Sequence, residues 1–438
     1  MCRCGWNRRP TAGGTLLSLA HPMAAALLLA LSLVPPALAA NTSPDPAALL
    51  ESRLCGSLTV AIDSVPGKGP AFLRSFDHPS GAGAPAEDAL KNAAFTYDNA
   101  LAAIALVACG RAGKARRIGD ALLSAVDSDR AGPQGRLRTT YRAGPQQEFP
   151  IPPNGWWNQK AQRWEEDAYQ VGTATGNVAW AGLALLTLAD ALNEPKYRAG
   201  AAKLGAWVLA HTRDARGPGG FTGGVHGDGA GTQALTWKSV EHNTDLVALF
   251  GWLERAGVPG GDWAAGKAAA LSFLNALWRA DAGYFPTGTL PDGVTVNDGN
   301  SGLDALLWPL LLPESPRDWD RALDRADTLH GVTGGYDFNG DRDGVWVEGT
   351  AQAALSWASV GDRERAEKLL ASLIGDISPG GYLWATRGDK VSTGFAIGPD
   401  SKNADFFYYR QPHLGATSWA VLAAKGWNPF TGKMIKAP

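Results

Sequence analysis

Between about residue 45 and residue 426 the chain alternates two kinds of helix-length segment, separated by turns rich in Gly and Pro. In one kind nearly every position is apolar: Asn92 to Cys109, Thr175 to Leu192, Ser239 to Leu253, Ser301 to Leu312, Glu348 to Val360 and Leu414 to Lys425. A helix apolar on every face must be surrounded by protein, so these segments predict an inner layer. The other kind carries Lys, Arg and Asp on one face: Lys114 to Val126, Lys196 to Thr212, Asp262 to Arg279, Arg317 to Leu329 and Asp362 to Ile374. These predict an outer layer. Inner segments number six and outer ones five, and the sixth inner segment ends the pattern without a partner. An unpaired amphipathic segment, Pro46 to Leu54, stands at the other end, and pairing it with the last inner segment closes a count of six hairpins. No linker interrupts the alternation, which predicts one continuous domain over residues 41–438.

Four outer segments are followed by a Gly-aromatic turn: Gly219-Gly220-Phe221, Gly283-Tyr284-Phe285, Gly334-Gly335-Tyr336 and Gly380-Gly381-Tyr382. Glycine permits the tight backbone there, and each aromatic either plugs its hairpin or lines a cleft. The connection from about Asp127 to Gly172 is far longer than the others and rich in Trp, Gln, Asn and Pro. A connection of that length inside a compact domain is functional or disordered.

Composition narrows the reading. The 438 residues are 45% hydrophobic and 19% charged, enough for a sizeable core. A net charge of −2 leaves no basic face for nucleic acid and no polybasic membrane patch. Residues 1–40 read as an export signal, with Arg3, Arg8 and Arg9, an apolar run from Met23 to Val34, and small residues around Ala37-Leu38-Ala39. The mature chain is therefore expected to be secreted or periplasmic, without a stable membrane span. Export permits a disulfide between Cys55 and Cys109, and two separate buried thiols fit the spacing equally.

The alternation, together with Phe95-Thr96-Tyr97-Asp98-Asn99, Lys238-Ser239-Val240-Glu241-His242-Asn243, Val345-Trp346-Val347-Glu348-Gly349-Thr350 and His413-Leu414-Gly415-Ala416-Thr417, resembles the six-hairpin glycosidase superfamily. The resemblance implies an all-α fold, an (α/α)6 toroid, with a carbohydrate cleft lined by one set of inner-helix ends and the loops before them. Members include hydrolases, phosphorylases, polysaccharide lyases and epimerases, so the resemblance implies fold more narrowly than reaction.

Acidic groups lie near the starts of inner segments: Asp98, Glu241, Asp245, Asp304 and Glu348. Unpaired N–H groups and a positive dipole end favour an acid there, either as a cap or as a cleft carboxylate. Ser301-Gly302-Leu303-Asp304 fits capping. Glu241 and Asp245, four apart, share a helical face. Their repulsion must be offset by a basic partner such as Lys238, by water, or by a proton held on one carboxyl. The last is what a general acid needs. Glycoside hydrolysis requires such an acid and a second carboxylate, so Glu241 is expected as acid and Asp98 or Glu348 as base, with Asp245 in support.

Tryptophan, at 17 residues, outnumbers tyrosine and phenylalanine, and flat rings suit the apolar faces of sugars. Trp156, Trp157, Trp164, Trp237 and Trp346 are the expected platforms, with His242 and His413 beside them at inner-segment starts. Tyr409 with Arg410, next to His413, is the set a lyase or epimerase would use, and a non-catalytic carbohydrate-binding toroid is the third reading. Asp337, Asn339, Asp341 and Asp343 alternate oxygen ligands as in a calcium loop, with Glu348 at the twelfth position and Arg342 where a glycine belongs. A metal-free Asx-turn loop fits the same residues. Neither an HExxH motif, a Cys/His zinc spacing nor a nucleotide loop is present, so no catalytic cofactor is expected.

Overall fold

The computed structural model describes residues 45–77, 87–130, 135–146 and 153–435. The export signal read in residues 1–40 lies outside the described residues. The inner helices are α2 (Thr96–Ala108), α5 (Thr175–Leu192), α7 (Val240–Arg255), α9 (Leu303–Leu307), α11 (Val347–Ser359) and α13 (Leu414–Lys425). They pack in sequence, and α13 returns to α2, which closes the ring. The outer helices are α3 (Ala112–Ser128), α6 (Pro195–His211), α8 (Trp263–Leu277), α10 (Ala322–His330), α12 (Arg363–Leu373) and α1 (Pro46–Ser64). The fold is the all-α (α/α)6 toroid.

Helix α1 supplies the sixth outer position by packing on α13. It runs well past Leu54 because Leu50, Leu54, Leu58 and Ile62 form one fully buried stripe at a spacing of four. A disulfide joins its Cys55 to Cys109 at the end of α2, with the Cα atoms 5.8 Å apart. Helix α9 is much shorter than the apolar run Ser301 to Leu312. Pro309 has no N–H to donate, and the chain tightens into a 3-10 turn over Trp308–Leu311. Helix α5 is the one described helix long and apolar enough to cross a membrane, and it is largely buried inside the ring.

The aromatics of the Gly turns plug the hairpins: Phe221, Phe285, Tyr336 and Tyr382 are all buried. A repeated clamp seats the chain entering each of four inner helices. The fourth residue of the helix reaches back to backbone: Asn99 to Leu73, Asn243 to Phe221, Thr350 to Tyr336 and Thr417 to Leu383. Each bond removes an unpaired backbone group at a buried helix entrance. The clamp thereby fixes the rotation of the first turn, and with it the aim of the second and third residues.

The long connection is ordered where described. Thr140–Arg142 pairs antiparallel with Ala93–Phe95 just before α2, and Gly144–Pro145 pairs with Ala71–Phe72. Trp156–Asn158 and Arg163–Glu165 form a hairpin, and the single-turn helix α4 (Ala168–Val171) leads to α5. The connection therefore builds a rim around the inner-helix N-termini.

Candidate active site

The residues at the second and third positions of the clamped helices meet at the ring axis. His413, the N-cap of α13, brings Nε2 to 3.4 Å from Asp98 Oδ2 and Nδ1 to 3.4 Å from Glu348 Oε2. All three side chains are buried. Gly415 makes the approach possible: a Cβ there would stand 2.8 Å from both Asp98 Oδ1 and Glu348 Oε2. Those oxygens are thus no more than twice that distance apart. The Tyr97 hydroxyl donates to Glu348 Oε1 at 2.7 Å and accepts the Trp419 indole N–H at 2.7 Å.

Burial dominates the electrostatics. It pushes Glu348 up to about 7, with His413 and the Tyr97 hydroxyl opposing and Asp98 and Asp304 reinforcing. Burial works against a charge on His413, yet Asp98 and Glu348 hold its pKa above the ordinary histidine range. His413 Nδ1 also accepts the Ala416 N–H at 3.3 Å, so the imidazole is held between the helix start and the two acids.

Across the axis, Glu241 is half-buried on the first turn of α7, and Asp245 one turn on is fully buried with both oxygens lacking a hydrogen-bond partner. Burial, then Asp304 and Glu348, raise Glu241 well above its ordinary value. Burial, then Glu241 and Asp304, do the same to Asp245. Lys238 is not the offset, since its ammonium turns away to the carbonyls of Asp214 and Arg216. Asp304 joins this group. Its Oδ1 accepts the Ala305 N–H at 2.9 Å, no side chain caps α9 at Gly302, and burial raises it to about 6. His242 lies against Gly176 with Nδ1 unpartnered, and burial lowers it to about 4.

Several aromatic residues border the acids. Trp180, Trp308, Trp419, Tyr97 and Phe430 pack ring against ring at 5.2–6.2 Å and close the floor of the cleft. Tyr408 enters from the strand Phe407–Tyr409, which pairs with Lys390–Ser392, and its ring lies 5.9 Å from that of His413. Burial, followed by Glu348, Asp304 and Asp98, raises its hydroxyl pKa well above the ordinary value. Tyr409 takes the opposite face of that strand, since side chains alternate. Arg410 lies over Trp384 at 4.6 Å and donates to the Arg387 carbonyl at 2.8 Å. The structure therefore brings Tyr408 to the acids and leaves Tyr409 and Arg410 outside the cluster.

The tryptophans divide. Trp157 and Trp164 are exposed on the rim hairpin in edge contact at 5.8 Å, with Arg142 stacked on Trp164 at 3.2 Å. Trp156 is half-buried in the same hairpin, and Trp237 is half-buried 5.3 Å from the His242 ring. Trp346 is fully buried against Phe338 and Tyr408, so it supports the wall and offers no open face.

In the acidic loop, Asp337, Asp341 and Asp343 come together, their oxygens within 4.8 Å of one another. Asn339 serves the loop itself: Oδ1 accepts the Asp341 N–H and Nδ2 donates to the Ser392 carbonyl. Glu348, the twelfth residue of the motif, lies in the cleft with Tyr97 and His413 instead.

No protein-family model matches the chain, and no curated protein sequence is significantly similar to it. Solved structures share its fold. A glycosidase in complex with glucose superposes with a TM-score of 0.59 at 14% identity, over 87% of this chain and 98% of that one. A cellobiose 2-epimerase from Spirochaeta thermophila gives 0.58 at 12% identity, over 88% and 98%. An alpha-amylase from Clostridium perfringens gives 0.56 at 11% identity, over 86% and 98%. At these identities the similarity is one of fold, the six-hairpin toroid.

Proposed function

We propose that this protein is a carbohydrate-active enzyme that hydrolyses glycosidic bonds of an oligo- or polysaccharide in the axial cleft. The observation that carries the proposal is the grouping of acids from four inner helices: Asp98 and Glu348 on either side of His413, with Glu241 and Asp304 close enough for their charges to act on one another and on Glu348. So many carboxyls cannot all ionise in one buried site, so some remain protonated at neutral pH. Glu241, half-buried and free of hydrogen-bond partners among the described residues, is the acid that protonates the departing oxygen. Glu348, steadied by Tyr97 and His413, is the second carboxylate, with Asp98 holding the imidazole. Trp157 and Trp164 extend the binding surface along the rim. The Cys55–Cys109 disulfide and the N-terminal sequence support a location outside the cytoplasm.

A second reading rests on a separate observation. Burial lowers His242 to about 4, while Asp98 and Glu348 raise His413 above the ordinary histidine value. Groups pushed apart in this way suit proton removal and return at a sugar carbon, as in epimerisation. Incubation with an oligosaccharide panel in D2O separates the two. New reducing ends without carbon-bound deuterium support hydrolysis. Deuterium at the sugar carbon without new reducing ends supports epimerisation and overturns the first reading. Neither change, with binding retained, overturns both.

A further inference from the structure

Outside the cleft, the loop before α11 gathers three acids that, among the described residues, take no hydrogen bond from a basic side chain. Asp337 is fully buried; its Oδ1 accepts the Phe338 N–H at 2.7 Å, its Oδ2 has no hydrogen-bond partner, and its carboxyl lies with those of Asp341 and Asp343. Those two are exposed, and their remaining bonds shape the loop: Asp341 Oδ1 accepts the Asp343 N–H and Asp343 Oδ2 accepts the Ser392 N–H. The nearby cations are engaged elsewhere. Arg342, with φ of 59°, reaches back to the Gly331 carbonyl, and the Lys390 ammonium lies over the Phe407 ring.

We infer that Asp337, Asp341 and Asp343 form a calcium-binding site that fastens two walls of the cleft. Ligand oxygens about 2.3–2.6 Å from one ion lie at most about 5.2 Å from each other, and the 4.8 Å span of these carboxylates fits that sphere. An all-oxygen set of three carboxyls selects a hard cation over zinc or copper. The exposed side leaves room for the waters and carbonyls that bring calcium to six to eight ligands, whereas magnesium demands a tighter octahedron. The site differs from the loop expected from the sequence in omitting Asn339 and Glu348. Its position gives it a role. The loop runs directly into Trp346 and Glu348, and through Asp343 and Asn339 it holds Ser392, whose strand partner Phe407 adjoins Tyr408. An ion here ties the wall bearing Glu348 to the wall bearing Tyr408.

The test uses the full chain and needs no substrate, so its outcome is independent of the reaction assigned to the cleft. EDTA-treated protein is titrated with CaCl2 by calorimetry and with TbCl3 by luminescence, and its melting temperature is followed in calcium, magnesium and EDTA. The expected result is one calcium per chain, terbium displaced by calcium, and a melting temperature several degrees higher in calcium than in EDTA or magnesium. Asp341→Asn should weaken calcium binding at least tenfold, and Asp341→Asn with Asp343→Asn should remove the thermal shift while the EDTA-treated variant retains wild-type circular dichroism. Absence of stoichiometric binding at millimolar calcium overturns the site, as does binding that these variants leave undiminished. Three acids sharing a proton would give that result.

Discussion

Replacing Glu348 by glutamine keeps the shape of the side chain and removes only its titration. In the folded protein burial pushes this carboxyl from an ordinary 4.5 up to about 7. Below pH 4.5 it is protonated in the folded and unfolded chains alike, so its ionisation contributes no difference. Between 4.5 and 7 the unfolded chain releases the proton while the folded chain keeps it, and stability falls as pH rises. Above the folded value the loss is complete, and the displacement corresponds to about 3 kcal/mol. Glutamine cannot ionise and escapes this loss. It gives up a charge partner of His413, but Asp98 still holds the imidazolium at 3.4 Å. The stability of Glu348→Gln relative to wild type should therefore rise by about 3 kcal/mol between pH 4.5 and pH 8. Denaturant titrations of both proteins at those two pH values measure it directly. A relative stability that stays flat within about 1 kcal/mol, or that moves in favour of wild type, would refute the raised titration of Glu348.

Other substitutions address the geometry around it. Gly415→Ala puts a methyl group against Asp98, Glu348 and His413. It should cost about 1–3 kcal/mol by overpacking and abolish most activity while the circular dichroism stays native, and retained activity would contradict the packing described. Tyr408→Phe should lower kcat by about tenfold, the worth of one hydrogen bond from its hydroxyl to a bound sugar, and Tyr409→Phe should stay near wild type; the reverse order would place the wrong face of that strand toward the acids. Reducing the Cys55–Cys109 disulfide frees a loop of sequence separation 54 that pins the closing helix. The loop length predicts a loss of about 4 kcal/mol, seen as a lower denaturation midpoint in dithiothreitol, and an unchanged midpoint would show that α1 docks without the bond.

The ring of helices was legible because burial on every face and burial on one face leave different sequence patterns. Even the closing role of α1 followed from counting. Acidic first turns were legible for a similar reason: Asp98, Glu241 and Glu348 stand at fixed offsets from helix starts. Which of them face each other depends on how the ring closes, which no local spacing encodes. Tyr408 and Tyr409 differ only in strand register, where a shift of one residue exchanges the two faces. The destination of Lys238 was hidden because a long side chain reaches a turn 22 residues upstream in sequence. Trp180, Trp308 and Trp419 lie inside apolar segments and are fully buried, and their packing on Tyr97 beside Glu348 follows only from the closed ring. Asp304 read as a cap because the local sequence satisfies that pattern, and its Oδ1 does take the Ala305 N–H; what the spacing could not show is that its charge also acts on Glu241.

The central claim is that carboxyls at the inner-helix N-termini cleave a glycosidic bond. It is tested most directly by following reducing-end release from an oligosaccharide panel with wild type, Glu241→Gln and Glu348→Gln under identical conditions. The account predicts release by wild type and a loss of about a hundredfold or more in each variant, with sugar binding retained. Undiminished release by both variants would contradict it.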